Sequence, residues 1–252
     1  MLKARIMPTL LYKDVGLVKG IGFDSWRRVG SAMQTIKVYN VRQVDELVLL
    51  DIRATLDGRG PDLELIDDLA DECFMPLTVG GGVRTIEDVR QLLMVGADKV
   101  SVNTAALDTP GLIGEIRDRF GSQCAVVSVD ARRAPDGTYE VFTHSGTRPT
   151  GKDPVDVASL AEQMGAGEIL LTSIDRDGTM QGYDVELTCR VASAVNIPVI
   201  ASGGAGSYEH MADVLRQGKA SAVAAASIFH FTEQTPLEAK RHLMAEGFPV
   251  RR

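Results

Sequence analysis

The octapeptide Pro76-Leu-Thr-Val-Gly-Gly-Gly-Val83 recurs with substitutions as Pro198-Val-Ile-Ala-Ser-Gly-Gly-Ala205, an offset of 122 residues between positions 76 and 198. Each copy is a short apolar run that ends in glycines. An amphipathic segment of similar length follows each copy, and then a further apolar run. Because buried strands are short apolar runs and helices carry an apolar stripe, the repeat predicts two strand–helix–strand units. Two copies of a four-strand unit give eight strands.

Further apolar runs of four to eight residues, typical of strands buried on both faces, extend the pattern in both directions. The predicted strands are 5–11, 46–52, 76–79, 99–102, 124–130, 168–173, 198–201 and 221–225. Amphipathic segments between them predict helices at 85–95, 109–120, 153–164, 184–195, 207–217 and 236–246. We therefore predict an α/β fold, namely one (β/α)8 TIM-barrel domain over residues 1–252 with a twofold half-barrel repeat. An open, doubly wound sheet is the alternative.

The composition limits the classes of function. The 252 residues fit a single barrel domain, and the net charge of -7 argues against nucleic acid or anionic membranes as partners. No apolar run is long enough to span a bilayer, and the first residues do not resemble a signal peptide, so we expect a cytoplasmic protein. Three dispersed cysteines predict reduced thiols, and four scattered histidines predict no metal site. We expect no cofactor.

Glycines are concentrated at the carboxyl ends of the predicted strands. Glycine allows backbone N–H groups to approach an anion closely, and barrel enzymes carry their chemistry on this face. Two repeated glycine runs therefore predict two facing anion sites that suit a ligand with a phosphate at each end. The alternative is that these glycines only form tight turns. The glycines concerned are Gly80, Gly81, Gly82, Gly178, Gly203 and Gly204.

Charged residues near strand ends are candidates for catalysis. Asp130 ends an apolar strand, which places a carboxylate at the barrel mouth for general acid–base catalysis. For Asp177 a turn or capping role is the alternative, and for Asp51 a buried structural role is favoured. Lys19, in the predicted loop after the first strand, is either a phosphate ligand or a solvated lysine.

A second set of charges lies at the beginnings of the strands. Four charges in the narrow bottom of a barrel are costly to bury singly but tolerable when paired. Their positions predict a salt-bridge plug, and a gate that controls passage through the barrel is the alternative. The four residues are Arg5, Glu46, Lys99 and Glu168.

Several motifs resemble those of the cyclase subunit of imidazole glycerol phosphate synthase (HisF), and the resemblance covers essentially the whole chain. They include PLTVGGGVR, GADKVSVNTAA, RFGSQCAVVSVDARR, GAGEILLTSIDRDGT and IPVIASGGAG. The resemblance implies a (β/α)8 barrel that receives ammonia from a separate glutaminase subunit docked at the barrel bottom. It implies that the ammonia meets a bisphosphorylated ribulosyl substrate, giving imidazole glycerol phosphate and an aminoimidazole carboxamide ribotide.

The resemblance also implies roles for individual residues. Asp130 matches one of two catalytic aspartates, and Lys19 resembles a lysine on a mobile loop. The charged set becomes the ammonia gate, with Asp98 beside it at the glutaminase contact. Gly82, Asn103 and Thr104 match one phosphate site, and Asp177, Gly178, Gly204, Ala226 and Ser227 match the other. Thr172 and Ser202 match positions that face the substrate.

The chain departs from the family pattern at the other catalytic aspartate, where it has Leu11. Leucine cannot transfer protons, and Asp14, three residues further on, is the alternative acid if it turns inward. Ser145 also replaces a glycine. Leu11 and the stretch Val44-Asp-Glu-Leu resemble a paralogous branch that is encoded with bacterial surface-polysaccharide genes and is thought to supply ammonia for acetamidino-sugar formation. We therefore favour an ammonia-conducting synthase subunit of that kind. A true cyclase and a non-catalytic, bisphosphate-binding scaffold are the alternatives.

Overall fold

The computed structural model describes residues 3–14 and 16–251, and eight parallel strands at its centre close into a barrel. The barrel strands begin at Arg5, Leu47, Leu77, Lys99, Ala125, Glu168, Val199 and Ala222, and the first of them pairs with the last on one side and with the second on the other. The predicted (β/α)8 fold is confirmed. The strands of the described part are β1 (Arg5–Lys13), β2 (Gly16–Ile21), β3 (Asp24–Gly30), β4 (Leu47–Asp51), β5 (Leu77–Gly80), β6 (Lys99–Val102), β7 (Ala125–Arg133), β8 (Tyr139–Thr143), β9 (Arg148–Pro149), β10 (Glu168–Ser173), β11 (Val199–Ser202) and β12 (Ala222–Ala225).

Helices connect the barrel strands and cover the outside of the barrel. They are α1 (Ala32–Val41), α2 (Leu63–Ala70), α3 (Ile86–Met94), α4 (Thr104–Asp108), α5 (Gly111–Phe120), α6 (Pro154–Met164), α7 (Val185–Ala194), α8 (Tyr208–Arg216), α9 (Ser227–Phe231) and α10 (Pro236–Ala245). Thr85 caps α3 in a capping box with Asp88. Asp153 caps α6, whose first residue is Pro154. The helix predicted over 109–120 begins at Gly111, and the short α4 precedes it. Within the described residues, no helix is long and apolar enough to cross a membrane.

Side chains along the barrel strands alternate between the helix layer and the barrel interior. Outward residues such as Leu49, Val79 and Val127 belong to the main core. The inward residues form a separate apolar cluster across the middle of the barrel. This cluster consists of Met7, Val48, Val126, Leu170, Ile200, Ala222 and Ala224, with the half-buried Leu50 packed against it. The interior is therefore a packed apolar layer between two polar ends.

Two antiparallel extensions cover the carboxyl ends of the barrel strands. β2 and β3 continue from β1 as a hairpin, and β8 and β9 continue from β7. We call these extensions, residues 16–30 and 139–149, the roof. Lys19 was predicted in a loop but lies within β2, which is a correction to the sequence prediction. The period-two apolar pattern of 16–21 is short and contains two glycines, so it gave no strong strand signal.

Contacts with the barrel loops, and between its own two extensions, hold the roof in place. The backbone N–H of Gly22 donates to the carbonyl oxygen of Asp177 at 2.9 Å. The ring of Phe23 lies so close to Gly146 that a Cβ atom there would be 2.7 Å from Phe23 Cδ2. The hydroxyl of Ser145 donates to the carbonyl oxygen of Ile52 at 2.8 Å. The roof thus closes over a cavity at the barrel mouth.

Candidate functional site

A cavity under the roof brings together the residues that the sequence predicts at the catalytic and phosphate sites. All of these predicted residues except Gly80 line it, whereas the four charged residues at the strand beginnings do not. The lining residues predicted from sequence are Lys19, Gly81, Gly82, Asn103, Thr104, Asp130, Thr172, Asp177, Gly178, Ser202, Gly203, Gly204, Ala226 and Ser227. The prediction that these residues share one site therefore agrees with their positions, and their roles remain predictions.

Asp130 is the buried carboxylate on the cavity floor. Its carboxylate accepts hydrogen bonds of 3.3 Å from the hydroxyl of Ser128 and from the amide of Asn103. Burial raises the pKa of Asp130 to about 7, against hydrogen bonds from Ser128 and Thr172 that lower it, and the charge of Asp177 adds to the rise. A carboxyl group with a pKa near neutrality can both take up and release a proton at physiological pH.

The first strand contributes Thr9 and Leu11 to the cavity. Leu11 is half-buried and offers no group that can be protonated. The hydroxyl of Thr9 is buried and has no hydrogen-bond partner among the described residues. Asp14, considered above as a substitute acid, lies exposed in the turn after β1 and does not line the cavity. Asp130 and Asp177, together with the rim residue Asp51, are thus the carboxylates of this cavity in the described part of the chain.

Lys19 and Asp177 form a buried ion pair at the cavity wall. The side chain of Lys19 is 2% exposed, and its ammonium nitrogen lies 2.7 Å from both carboxylate oxygens of Asp177. Burial raises the pKa of Asp177, and the charge of Lys19 opposes that rise. The alternative in which Lys19 is a solvated lysine is therefore wrong.

Close backbone approaches explain two of the cavity glycines. Gly81 and Gly204 have φ angles of +109° and +106°, in the region that disfavours side chains. A Cβ atom at Gly81 would collide with the carbonyl oxygen of Asp51, and one at Gly204 with that of Gly182. These loops approach neighbouring backbone so closely that only glycine fits.

Asp51 has a structural position at the edge of the cavity. Its carboxylate accepts hydrogen bonds from the backbone N–H groups of Arg53 and Ala54, and Arg59 lies 2.7 Å away in an ion pair. These contacts fix the loop that follows β4. The structural role that the sequence favoured for Asp51 agrees with them.

Sequence reasoning missed several residues that line the cavity. Three of them, Thr9, Ser101 and Ser128, lie on barrel strands two residues before Leu11, Asn103 and Asp130. The period-two alternation of a strand would have found them. Phe23, Trp26 and Thr55 come from the roof and from the loop after β4, and no pattern in the sequence indicates them.

Ser145 lies in the roof, and its φ angle of +54° is left-handed. That conformation costs on the order of 1 kcal/mol for a residue with a side chain. The hydrogen bond from its hydroxyl to Ile52 across the mouth offsets part of this cost.

The four charges at the opposite end form a closed ring of alternating sign. Arg5 lies 2.8 Å from both Glu46 and Glu168, and Lys99 lies 2.8 Å from Glu46 and 3.1 Å from Glu168. Burial alone would raise the pKa of Glu46, but the charge of Arg5 and the hydrogen bonds from Lys99 and Arg5 bring it below its ordinary value. One oxygen of Glu168 is buried without a hydrogen-bond partner among the described residues. This geometry agrees with the predicted plug, and a gate remains a hypothesis.

Exposed apolar side chains lie on the same face as the ring, at three consecutive connections between a helix and the next barrel strand. Val41, Phe74 and Met94 are 82%, 81% and 72% exposed, and each lies at the end of a helix or before a strand on this face. Asn40 hydrogen-bonds both the carbonyl of Glu72 and the N–H of Phe74, which joins two of these segments. We call Val41, Phe74 and Met94 the lower apolar surface. Asp98 is exposed at the start of β6 on this face.

Within residues 3–14 and 16–251, no group of three His, Cys, Asp or Glu side chains is placed to hold a metal ion. The polar groups that line the cavity are carboxylates, hydroxyls, backbone N–H groups and one lysine.

A comparison with protein families gives a match over residues 5–235 to the family model described as "Histidine biosynthesis protein".

Proposed function

Because the chain belongs to the histidine biosynthesis protein family, we propose that it is the synthase subunit of a glutamine amidotransferase. A separate glutaminase subunit docks at the N-terminal face and releases ammonia, which passes through the barrel to a bisphosphorylated substrate in the cavity. The ammonia serves the conversion of an acetamido sugar to an acetamidino sugar, in which a third, ATP-dependent protein activates the amide oxygen so that it can leave. The observation that supports this proposal is the intact charged ring below a cavity in which Leu11 replaces an acid.

The barrel interior suits neutral ammonia. The apolar cluster around Met7, Val126 and Leu170 separates the ring from the cavity, and an ammonium ion would lose its hydration there at high cost. Neutral ammonia carries no such charge. The unpartnered oxygen of Glu168 offers a hydrogen-bond acceptor at the entrance. The path therefore favours delivery of ammonia in the form that acts as a nucleophile.

The lower apolar surface supports the proposal that a glutaminase binds at this face. Exposed apolar patches on a soluble protein mark interaction sites, and buried aromatic anchors contribute most to such interfaces. Phe74 is the largest residue of the surface and lies between α2 and β5 on the face that carries the ring. A glutaminase that covers it would seal its active site over the entrance and keep ammonia from solvent.

In the cavity, at the opposite end of the barrel from the ring, Asp130 is the proposed general acid–base residue. With a pKa of about 7 it can accept the proton that ammonia loses after attack and return one to a leaving group. Lys19 and the glycine loops hold the phosphates. Leu11 removes the second acid–base group that imidazole closure requires in the related cyclases, so the cavity favours a different acceptor.

A Leu11→Asp variant tests the proposal. Purified protein receives ammonium chloride and the bisphosphorylated ribulosyl substrate of the related cyclases, and imidazole glycerol phosphate is measured. The unaltered protein should be inactive or nearly so. Leu11→Asp should raise turnover by about 10²-fold or more, because one acid–base group contributes that much. Leu11→Asn is the matched control, since it is polar and similar in size but cannot transfer the proton.

Turnover by the unaltered protein at ordinary enzyme rates, about 1 s⁻¹ or faster, would contradict this proposal. It would support the second candidate, a cyclase of histidine biosynthesis that forms imidazole glycerol phosphate and an aminoimidazole carboxamide ribotide. The raised pKa of Asp130 favours that candidate, because a single group that exchanges protons near pH 7 can serve successive steps.

A further inference from the structure

Trp26, the single tryptophan of the chain, lies on β3 and lines the cavity from the roof side. It is half-buried, so part of its indole faces the space that a ligand would fill. Neither the catalytic nor the phosphate-binding predictions use it. An aromatic face at this place is a recognition surface without an assigned ligand.

The position of Trp26 is fixed by the packing around it. Gly20, on the neighbouring strand, leaves room for the indole, because a Cβ atom there would be 3.0 Å from Trp26 Cε3 and would collide with the carbonyl oxygen of Asp24. The guanidinium of Arg27 lies 3.7 Å from the ring centroid of Phe231, which ties β3 to α9. Together with the Lys19–Asp177 pair, these contacts place Trp26 over the cavity.

The rest of the wall is rich in hydroxyl groups. Nine of the described lining residues carry one, and they come from strands and loops all around the mouth. They are Thr9, Thr55, Ser101, Thr104, Ser128, Ser145, Thr172, Ser202 and Ser227. The hydroxyls of Thr9 and Ser227 are buried without a partner among the described residues. Buried polar groups need partners, so a ligand that fills this space should present polar groups to both Thr9 and Ser227.

An aromatic face combined with surrounding hydroxyls suits a sugar ring better than a planar base. A sugar ring has an apolar C–H face that packs on an aromatic ring, and its hydroxyls project outward around the edge, where Ser and Thr can meet them. A planar base needs stacking and only a few polar groups in its plane. We propose that Trp26 is the ring-recognition residue of this cavity and packs against the C–H face of a phosphorylated hexose. This inference rests on the proposed function, since it takes the phosphate sites as given.

Tryptophan fluorescence tests the proposal directly, because all indole emission comes from Trp26. The protein is titrated with glucose 6-phosphate, adenosine monophosphate and inorganic phosphate. Glucose 6-phosphate should shift or quench the emission with saturation, at a concentration about tenfold below that needed for either other compound. Equal or tighter binding of adenosine monophosphate would overturn the sugar assignment in favour of a planar ring.

Variants in the β2–β3 hairpin distinguish the loss of ring recognition from a loss of folding. Calorimetry should show glucose 6-phosphate binding about tenfold weaker in Trp26→Leu and nearly unchanged in Trp26→Phe, which keeps an aromatic face. Ile21→Ala is the matched control, because Ile21 is 59% exposed on the same hairpin and does not line the cavity. If Trp26→Leu does not fold, the emission of Trp26 in the unaltered protein still decides the question, because only a ligand that reaches the indole changes it with saturation.

Two failures can be told apart. If inorganic phosphate binds and glucose 6-phosphate binds no more tightly, ring recognition by Trp26 is wrong while the phosphate sites stand. If none of the three compounds binds at millimolar concentration, the phosphate sites of the proposed function fail, and this inference falls with them.

Discussion

Lys19 Nζ lies 2.7 Å from each carboxylate oxygen of Asp177, although 158 residues separate them in the chain. The pair ties β2 of the roof to the loop after β10. Both side chains are nearly buried, so neither has water to compensate for a missing partner. The roof therefore depends on one ion pair as well as on packing.

Removing Lys19 should destabilise the protein. The Lys19→Met variant leaves a buried carboxylate without its cation, and such losses cost about 3–5 kcal/mol. The free energy of unfolding, measured in urea, should fall by about this amount. Arg90→Ala, which breaks an exposed pair with Glu87, is the control and should show no measurable change. If both variants unfold at the same urea concentration, the pair contributes nothing to stability.

The raised pKa of Asp130 predicts how stability changes with pH. A carboxyl whose pKa is about 7 in the folded state and about 4 in the unfolded state stabilises the fold below pH 4, and this contribution is lost as the pH rises to 7. The stability of the unaltered protein relative to Asp130→Asn should therefore fall by a few kcal/mol between pH 4 and pH 8.

Asp136 provides the control for this titration. Hydrogen bonds from the side chain and backbone of Thr138 lower its pKa, so its contribution has the opposite sign and is lost as the pH falls. Stability relative to Asp136→Asn should not fall with rising pH. If the difference in unfolding free energy between the unaltered protein and Asp130→Asn does not change between pH 4 and pH 8, the pKa of Asp130 is not raised in the folded state.

The close approach at Gly204 predicts a large effect of a single methyl group. Gly204→Ala adds a collision with the carbonyl oxygen of Gly182 to the cost of a left-handed φ angle. We expect a loss of about 3 kcal/mol and weaker phosphate binding. Gly151→Ala separates the two causes, because Gly151 has a φ of +68° and open space around it, so about 1 kcal/mol should be lost. Equal losses in the two variants would mean that the loop yields to the collision.

The lower apolar surface predicts where the partner binds. Phe74→Glu places a charge in the centre of the proposed interface and should weaken glutaminase binding by at least about tenfold, as measured by calorimetry or by recovery on an affinity resin. Leu160→Glu is the control, since Leu160 is exposed on α6 at the side of the barrel. An unchanged affinity for Phe74→Glu would move the interface elsewhere.

The sequence predicted the barrel and most of the cavity because both follow from local patterns. Buried strands are short apolar runs, and alternation along a strand decides which residues face inward. Position along the strand decides the end of the barrel, so Arg5 at a strand beginning and Asp130 at a strand end could be assigned to opposite ends. The roof could not be predicted in this way. Lys19 reaches its position through a contact with Asp177 that no local pattern encodes, and Trp26 faces the cavity only because Gly20 leaves room for it.

The first strand, β1, runs from the ring to the cavity, and its two-residue alternation constrains both ends of the barrel. Arg5, Met7, Thr9 and Leu11 reach the ring, the apolar layer and the cavity in turn, at every second residue. One residue inserted into β1 would turn all the positions beyond it to the opposite face and put outward residues into the interior. Single side chains along this strand can therefore be exchanged without a change of register, whereas an insertion or deletion would damage the ring or the cavity.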